Sequence, residues 1–244
     1  MSVRVAVCQT LTGRTISESL ERVHDAIRSA AAKGAQLVVL GEMFACKYTH
    51  NSFAALAEHI GPVGSFPETV AESVSASLSS YSRNYRIHIV GGSVPERVIR
   101  NGVELLYNTS VMFDQDGRII QKYRKLHLFD VSIPGEPETD KPGIHFMESE
   151  TLTPGDLGLC LWQSPWSFDV GLGICYDIRF PELAIALREK SGDKMKLLIY
   201  PGQFNMVTGP RHWQLLGKAR AVDTQSFCIL ASVARSNDPS DYQV

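Results

Sequence analysis

The chain has 244 residues, of which 44% are hydrophobic and 20% are charged, and its formal net charge is -2 at pH 7. This composition is typical of a soluble globular protein, and it lacks the basic block with which proteins neutralise nucleic-acid phosphates. No apolar run approaches the roughly 18 residues that span a bilayer, and the N-terminus lacks the apolar core of a signal peptide. We therefore expect a cytoplasmic protein, with a mitochondrial location as the alternative, and neither a nucleic-acid nor a membrane partner.

The first part of the chain alternates strand and helix patterns. The runs "VRVAVCQT" and "QLVVLGE" predict two strands, and the helix between them has Thr15 and Glu18 at capping-box spacing and Gly34 beyond its end. A second helix is predicted over "SFPETVAESVSASLSSYSRN", with Ser65 and Glu68 as its capping box. The run "IHIVGGSV" then predicts a third strand.

The middle of the chain predicts a hairpin followed by a long loop. The runs "YNTSVMFD" and "GRIIQKYRK" are strand patterns, and Asp116-Gly117 between them is a turn signal. The stretch Phe129–Gly155 contains several prolines and glycines, so we expect it to be largely loop. Long loops in compact domains are usually functional or disordered.

The last part of the chain returns to alternating strands and helices. The strand runs are "DVGLGICYD", "KLLIYPG" and "SFCILASVAR", and Pro181 and Pro210 each stand where a helix would begin. This order of elements predicts an α/β fold with sheets inside and helices outside.

One of the five cysteines has an unusual position. The odd count and the lack of any C-x-x-C pair argue against a disulfide framework or a zinc ribbon. Cys8, Cys160 and Cys228 lie in or beside apolar runs, where a cysteine is usually a small buried hydrophobe. Cys175 instead follows the strand "DVGLGI" and precedes the helix "FPELAIALRE", on a turn of the kind that exposes a nucleophile. Without further motifs, Cys175 is also explained as a buried packing residue.

Two further strand ends carry charged side chains. Glu42 ends the apolar run "QLVVLGE", and Lys125 ends "GRIIQKYRK" beside Lys122 and Arg124. Taken singly, Glu42 is explained as a loop carboxylate or a helix cap, and Lys125 is explained as part of a basic strand edge. Together with Cys175 they would supply a nucleophile, a carboxylate that transfers protons and an ammonium that stabilises an oxyanion. We expect the three to meet in one site.

These segments resemble the nitrilase superfamily of carbon–nitrogen hydrolases. The Glu-Lys-Cys triad of that family matches Glu42 in "LGEMF", Lys125 in "YRKLHLFD" and Cys175 in "GICYDIRFPE". The resemblance continues through "GGSVPE", "YNTSVMFD", "FMESETLTPGD", "YPGQFNMVTGPRHW" and "ARAVDTQ", and it is strongest to the Nit branch and its ω-amidase group. It implies a nitrilase-type α-β-β-α sandwich in a single domain over residues 1–244, and a homodimer if the short C-terminus permits one. No metal or organic cofactor is expected, because protein donors polarise the carbonyl and a side chain is the nucleophile.

The resemblance also implies the reaction. Members of the ω-amidase group hydrolyse the terminal amide of α-ketoglutaramate and α-ketosuccinamate, and we expect the same reaction here, through a thioester on Cys175. Glu42 would transfer protons, while Lys125 and the backbone N–H of Tyr176 would hold the oxyanion. The alternatives are a deaminated-glutathione amidase and a catalytically impaired binding protein of the same fold. A Cys-His hydrolase is disfavoured because no histidine motif accompanies Cys175. A metal hydrolase is disfavoured because no His, Asp or Glu residues have the spacing of metal ligands.

Other residues are implied as substrate-binding. Glu148 would position substrate beside Lys125, with a loop carboxylate as the plain alternative. Arg179 would bind a substrate carboxylate, unless it forms a salt bridge with Asp177 or Glu182. A histidine near the lysine, His127, is expected to be structural. The remaining pocket residues implied by the family are Tyr48, Phe204 and Thr208.

Three features depart from the family pattern. Residues 136–143, "EPETDKPG", form an insertion beside the predicted site entrance. The chain ends at Val244, before the C-terminal strands and tail of the family. Gln203 stands where the nearest relatives have a small residue.

Overall fold

The computed structural model describes residues 2–68, 70, 72–135 and 144–236. The predicted insertion at residues 136–143 and the chain end at Val244 lie outside the described residues. Within that part of the chain, no helix is both long and apolar enough to cross a membrane. The helices are α1 (Ile16–Ala32), α2 (His50–Ala55), α3 (Val74–Tyr85), α4 (Pro181–Ser191) and α5 (Gly209–Thr224).

The first sheet contains strands from the first half of the chain. These are β1 (Val5–Val7), β2 (Leu37–Val39), β3 (His88–Val90), β4 (Val94–Arg100), β5 (Val103–Phe113) and β6 (Ile119–Arg124). Their order is β1-β2-β3-β5-β4, with β6 paired to β5. Strands β1 to β3 run parallel, and the remaining pairs are antiparallel.

A second sheet and a short ribbon complete the strands. The ribbon pairs β7 (Asp130–Ile133) with β8 (Ile144–Met147), and the sheet consists of β9 (Cys160–Gln163), β10 (Asp169–Leu172), β11 (Met195–Gly202) and β12 (Phe227–Ser232). Its order is β12-β11-β10-β9, in which β10, β11 and β12 run parallel. The chain therefore uses helical crossovers in both sheets, as parallel pairing requires.

The two sheets pack face to face with helices outside them. Leu37 and Val39 of β2 share a core with Val170 and Leu172 of β10, whereas Val38 lies in a separate core on the helix side of the first sheet. This alternation follows from the two-residue period of a strand, which sends successive side chains to opposite faces. Helices α1 and α3 cover the first sheet, and α4 and α5 cover the second. The predicted α-β-β-α sandwich is confirmed.

The start of α1 agrees with the sequence prediction, and the start of α3 does not. Thr15 caps α1 by accepting a hydrogen bond from Glu18 N at 3.1 Å. The cap of α3 is Ser73, not Ser65. The carboxylate of Glu58 accepts hydrogen bonds from Val74 N and Ser75 N, both at 2.9 Å, and so satisfies the first donors of the helix. This support comes from a distant residue, which a local capping rule does not detect.

The middle of the chain contains more strand than predicted. The hairpin of β5 and β6 turns at Gly117, whose φ of +81° is a conformation that favours glycine, as Asp116-Gly117 predicts. The stretch Phe129–Gly155 was predicted as loop, but its described residues include β7, β8 and a 3₁₀ turn at Glu148–Glu150. The ribbon is short and its partners are separated by the insertion, which hides the pattern.

A buried ion cluster fixes the end of β6 just before Lys125. Arg124 donates from Nε and Nη2 to the Glu96 carboxylate at 2.8 and 2.9 Å, and Nη1 donates to Asp156 at 2.7 Å. Lys122 Nζ also contacts Glu96, at 2.9 Å. Burial raises the pKa of Glu96, but these hydrogen bonds outweigh it and the pKa is lowered, so the carboxylate stays ionised.

Candidate active site

Three strand ends bring an acid, an ammonium and a thiol together in the interior. Glu42 follows β2, Lys125 follows β6, and Cys175 lies on the turn after β10. Their exposed fractions are 0%, 1% and 7%. Lys125 Nζ lies 2.9 Å from Glu42 Oε1, and the charge of Glu42 raises the pKa of the Cys175 thiol. The convergence expected from the sequence is the arrangement that the structure contains.

A second carboxylate completes the surroundings of the lysine. Glu148, at the start of the 3₁₀ turn after β8, is fully buried, and its Oε2 lies 2.9 Å from Lys125 Nζ. The same oxygen accepts a hydrogen bond from Phe129 N at 2.6 Å. Glu148 is therefore held against the lysine, and the alternative of a solvated loop carboxylate does not apply.

The hydroxyl of Tyr48 lies between the two carboxylates. It is 3.1 Å from Glu42 Oε1 and forms a short hydrogen bond with Glu148 Oε1. Burial raises the pKa of Tyr48, and the two carboxylates raise it further, so the phenol remains a hydrogen-bond donor. Tyr48 was predicted to line the pocket, and its contacts show that it also orients the acid groups.

Asn108 is a member of this cluster that the sequence analysis did not select. It lies on β5 with 1% of its surface exposed, and its Nδ2 donates to Glu42 Oε1 at 2.9 Å. A polar amide within the strand "VELLYNTSVMF" was the available signal. Buried amides need partners, so an asparagine in such a strand indicates a polar neighbour.

One ammonium faces two carboxylates, and this imbalance determines the protonation of the site. Burial raises the pKa of Glu42, Lys125 lowers it, and Glu148 raises it again, with a raised pKa as the result. Burial alone would lower the pKa of Lys125, but the two carboxylates raise it well above its ordinary value. The lysine therefore stays charged, and Glu42 is suited both to accept and to return a proton.

The backbone at Cys175 is strained. Its φ is +44°, a value that residues with a Cβ seldom adopt and that recurs at functional sites. Gln203 N donates to Cys175 Sγ at 3.4 Å. Burial and the nearby Glu42 raise the pKa of the Cys175 thiol, so the resting side chain is protonated and ionises only if a base takes its proton.

Asp177 connects the cysteine turn to the segment that carries the lysine. Its Oδ2 accepts from Ile174 N at 2.8 Å and from Tyr123 OH at 2.7 Å, and its Oδ1 accepts from His127 N at 3.0 Å. His127 also contacts Asp177 through Nδ1 at 2.7 Å and stacks on Phe180. These contacts fix the turn, and they agree with a structural role for His127.

Arg179 has no carboxylate partner among the described residues. Its Nη1 lies 3.1 Å from His212 Nδ1, and its guanidinium carbon lies 5.4 and 5.3 Å from the ring centres of Tyr176 and Phe204. Its Nε is buried with no hydrogen-bond partner in that part of the chain. Asp177 is committed to other donors, so the predicted alternative of a salt bridge is not observed.

A small cavity of about 10 Å³, called here the catalytic cavity, lies beside the nucleophile. Thr208 in its wall donates from Oγ1 to Asn205 Oδ1 at 3.0 Å. A larger cleft of about 750 Å³ lies along α5 and touches none of the three strand-end residues. The residues lining the catalytic cavity are Tyr48, Phe129, Cys175, Tyr176, Arg179, Gln203, Phe204 and Thr208.

Glu148 is the one implied substrate-binding residue outside the cavity wall, and the wall adds Phe129 and Gln203 to the others. Phe129 begins the segment predicted as loop, and no sequence pattern distinguishes it as a pocket residue. Among the described residues, no group of three His, Cys, Asp or Glu side chains is arranged to hold a metal ion.

Comparisons with known proteins identify the family. The sequence model of the carbon–nitrogen hydrolase family matches residues 4–241. Omega-amidase NIT2 of Xenopus tropicalis is 43% identical over 237 residues, which cover 97% of this chain and 76% of the relative. The chloroplastic omega-amidase of Arabidopsis thaliana is 41% identical over 238 residues, covering 96% of this chain and 58% of the relative.

A solved structure agrees with the fold. The crystal structure of Saccharomyces cerevisiae Nit3, a member of branch 10 of the nitrilase superfamily, aligns with a TM-score of 0.80 at 34% sequence identity. The alignment covers 99% of this chain and 79% of that chain.

Proposed function

Because this chain belongs to the carbon–nitrogen hydrolase family, we propose that it is an ω-amidase. It is an amidase that acts on linear amides, and the proposed substrates are α-ketoglutaramate and α-ketosuccinamate, which it would convert to the dicarboxylic keto acid and ammonia. The observation that carries the proposal is the similarity over nearly the whole chain to relatives named omega-amidase. The cytoplasmic location stays a prediction.

The first half of the proposed reaction forms a thioester. Glu42 takes the proton of Cys175 as the sulfur attacks the amide carbon, and the carbonyl oxygen becomes an oxyanion. Lys125 Nζ and the backbone N–H of Tyr176 stabilise that oxyanion. Glu42 then gives its proton to the amide nitrogen, the C–N bond breaks, and ammonia leaves. The raised pKa of Glu42 supports both proton transfers.

The second half releases the acid. Glu42 takes a proton from water, and the resulting hydroxide attacks the thioester carbon. Collapse of this intermediate breaks the C–S bond, and Glu42 returns its proton to the sulfur of Cys175. Glu148 keeps Lys125 in place through the cycle, and the close contact between them supports this positioning role.

The size of the catalytic cavity favours a short substrate over the deaminated-glutathione alternative. At about 10 Å³ it provides no more than the space of about one water molecule. Side chains must move before either amide can enter, and the shorter keto acid monoamide needs less displacement than a peptide-sized amide. The contacts among Glu42, Lys125 and Glu148 also argue against an impaired binding protein, because burying unused charges is costly.

An ammonia-release assay tests the proposed function directly. Purified protein is given α-ketoglutaramate, α-ketosuccinamate or deaminated glutathione in separate reactions, with heat-inactivated protein as the control. We expect release of ammonia from the two keto acid monoamides. Faster release from deaminated glutathione would replace the proposal with the alternative amidase.

The bound keto acid has a carboxylate at the end away from the amide, and Arg179 is the proposed partner. Arg179→Lys should lower kcat/KM for α-ketoglutaramate by about 10- to 150-fold, because one charge-assisted contact contributes about 1.5–3 kcal/mol. A lysine supplies a charge but not the planar fork that matches a carboxylate. The measurement is kcat/KM for α-ketoglutaramate and for a neutral linear amide of similar length.

A control variant distinguishes a role of Arg179 in substrate binding from a role in the folded structure. The exposed Arg211 on α5 has the same side chain outside the cavity, and Arg211→Lys should leave both values unchanged. If Arg179→Lys lowers kcat/KM equally for the acidic and the neutral amide, Arg179 is structural and another residue binds the carboxylate.

We also propose that the protein forms a homodimer through α5 and the start of β12. Large apolar side chains are exposed there: Leu215 is 61% exposed, Val222 67% and Phe227 80%. Neighbouring apolar side chains left in water favour association, and a second copy presents the same surface. Sedimentation equilibrium should give twice the mass of the chain, and a monomeric mass across micromolar concentrations would contradict the proposal.

A further inference from the structure

The side chain of Gln203 has no assigned role in the reaction. It follows β11, its exposed fraction is 7%, and its backbone N–H contacts Cys175 Sγ at 3.4 Å. Its Oε1 is buried and has no hydrogen-bond partner among the described residues. A buried amide oxygen without a partner destabilises a fold, so packing alone does not explain a glutamine at this position.

Gln203 lies between two separate spaces. One is the catalytic cavity, and the other is a cleft of about 30 Å³, called here the side cleft. The side cleft is bounded by Thr12, Gly13, Lys47 and Val233, among others. Gln203 and Tyr48 belong to the walls of both spaces, so these two side chains separate them.

The two separating side chains differ in how firmly they are held. The Tyr48 hydroxyl is fixed between Glu42 and Glu148, where its removal would disturb the charged cluster. No hydrogen bond to another described residue holds the side-chain oxygen of Gln203. The barrier at Gln203 is therefore the part that a change of one side chain can remove without altering the groups around Lys125.

We propose that Gln203 is a specificity-determining residue that limits the length of the amide the enzyme accepts, because it closes the catalytic cavity toward the side cleft. This inference rests on the proposed function. With Gln203 in place, the enzyme favours the four-carbon α-ketosuccinamate over the five-carbon α-ketoglutaramate and rejects longer amides. With a small side chain at this position, the two spaces join and kcat/KM for the longer substrates rises.

Two variants distinguish the volume of the side chain from its polarity. Gln203→Ala removes both the volume and the amide, whereas Gln203→Met keeps the length and removes only the amide. In Gln203→Ala, the ratio of kcat/KM for α-ketoglutaramate to that for α-ketosuccinamate should rise about tenfold, the lower range for one methylene in a closed pocket. Gln203→Met should keep the ratio of the unchanged protein. Gln203→Ser provides a second small side chain if the alanine variant does not fold.

A second substrate series keeps this test independent of the proposed function. The same variants are measured on neutral linear amides from propionamide to hexanamide. If the unchanged protein hydrolyses only the neutral series, the keto acid assignment fails while the length limit is still read from that series. An unaltered length preference in both small variants would overturn the inference. An equal rise of the kcat/KM ratio in Gln203→Met would also overturn the inference, because the effect would then come from loss of the amide group and not from loss of volume.

Discussion

Cys175→Ala is expected to abolish amide hydrolysis, with a loss of roughly 10⁶-fold in kcat, the scale found when a nucleophile is removed from a hydrolytic unit. The thiol is the proposed attacking group, and no other described residue in the catalytic cavity has a comparable nucleophile beside Glu42. Alanine keeps the Cβ at the strained turn, so the change adds no new backbone demand at φ +44°. Ammonia release and circular dichroism of the purified variant are the measurements.

The other thiols provide the control. Burial raises the pKa of Cys46 and of Cys160 to about 12, so neither forms a thiolate readily at neutral pH. Cys160→Ala should alter stability alone, because the side chain packs in the core between the sheets. Full turnover by a folded Cys175→Ala protein would exclude the thioester mechanism.

Glu42→Gln and Lys125→Met should each lower kcat by at least about 100-fold. The first keeps the size of the side chain and removes the base, and the second keeps most of the stem and removes the oxyanion donor. Lys125→Met also leaves Glu42 and Glu148 buried without their cation, so we expect a loss of about 3–5 kcal/mol in the free energy of unfolding. Steady-state turnover and thermal unfolding are measured for both variants.

Matched changes on α4 control for the loss of charge. Glu189 and Lys190 are exposed, and Glu189→Gln and Lys190→Met should retain turnover. Losses below tenfold in both Glu42→Gln and Lys125→Met, with the proteins folded, would show that the assigned roles are wrong.

The sequence predicts the parts of the site that depend on local order. Glu42, Lys125 and Cys175 each end or follow a run of strand-forming residues, and the ends of these strands meet at one edge of the two packed sheets. The same local reasoning predicts α1 from Thr15 and Glu18, because the cap and its partner are close in the sequence.

Features that depend on distant partners were not predictable in the same way. The start of α3 is determined by Glu58, and the surroundings of Arg179 include His212 from another helix. The ribbon of β7 and β8 pairs segments separated by the proline-rich insertion. Asn108 has a meaningful contact only once β5 is placed beside Glu42.

The excess of buried carboxylates over ammonium groups has a consequence for product release. The reacting end of the substrate is a neutral amide, but the same end of the product is a carboxylate once the acid ionises. That new charge arises beside Glu42 and Glu148, with Lys125 as the shared counter-charge. Like charges repel strongly where water is scarce. We therefore expect the site to bind its product more weakly than its substrate, which speeds release of the acid and leaves the equilibrium between amide and acid unchanged.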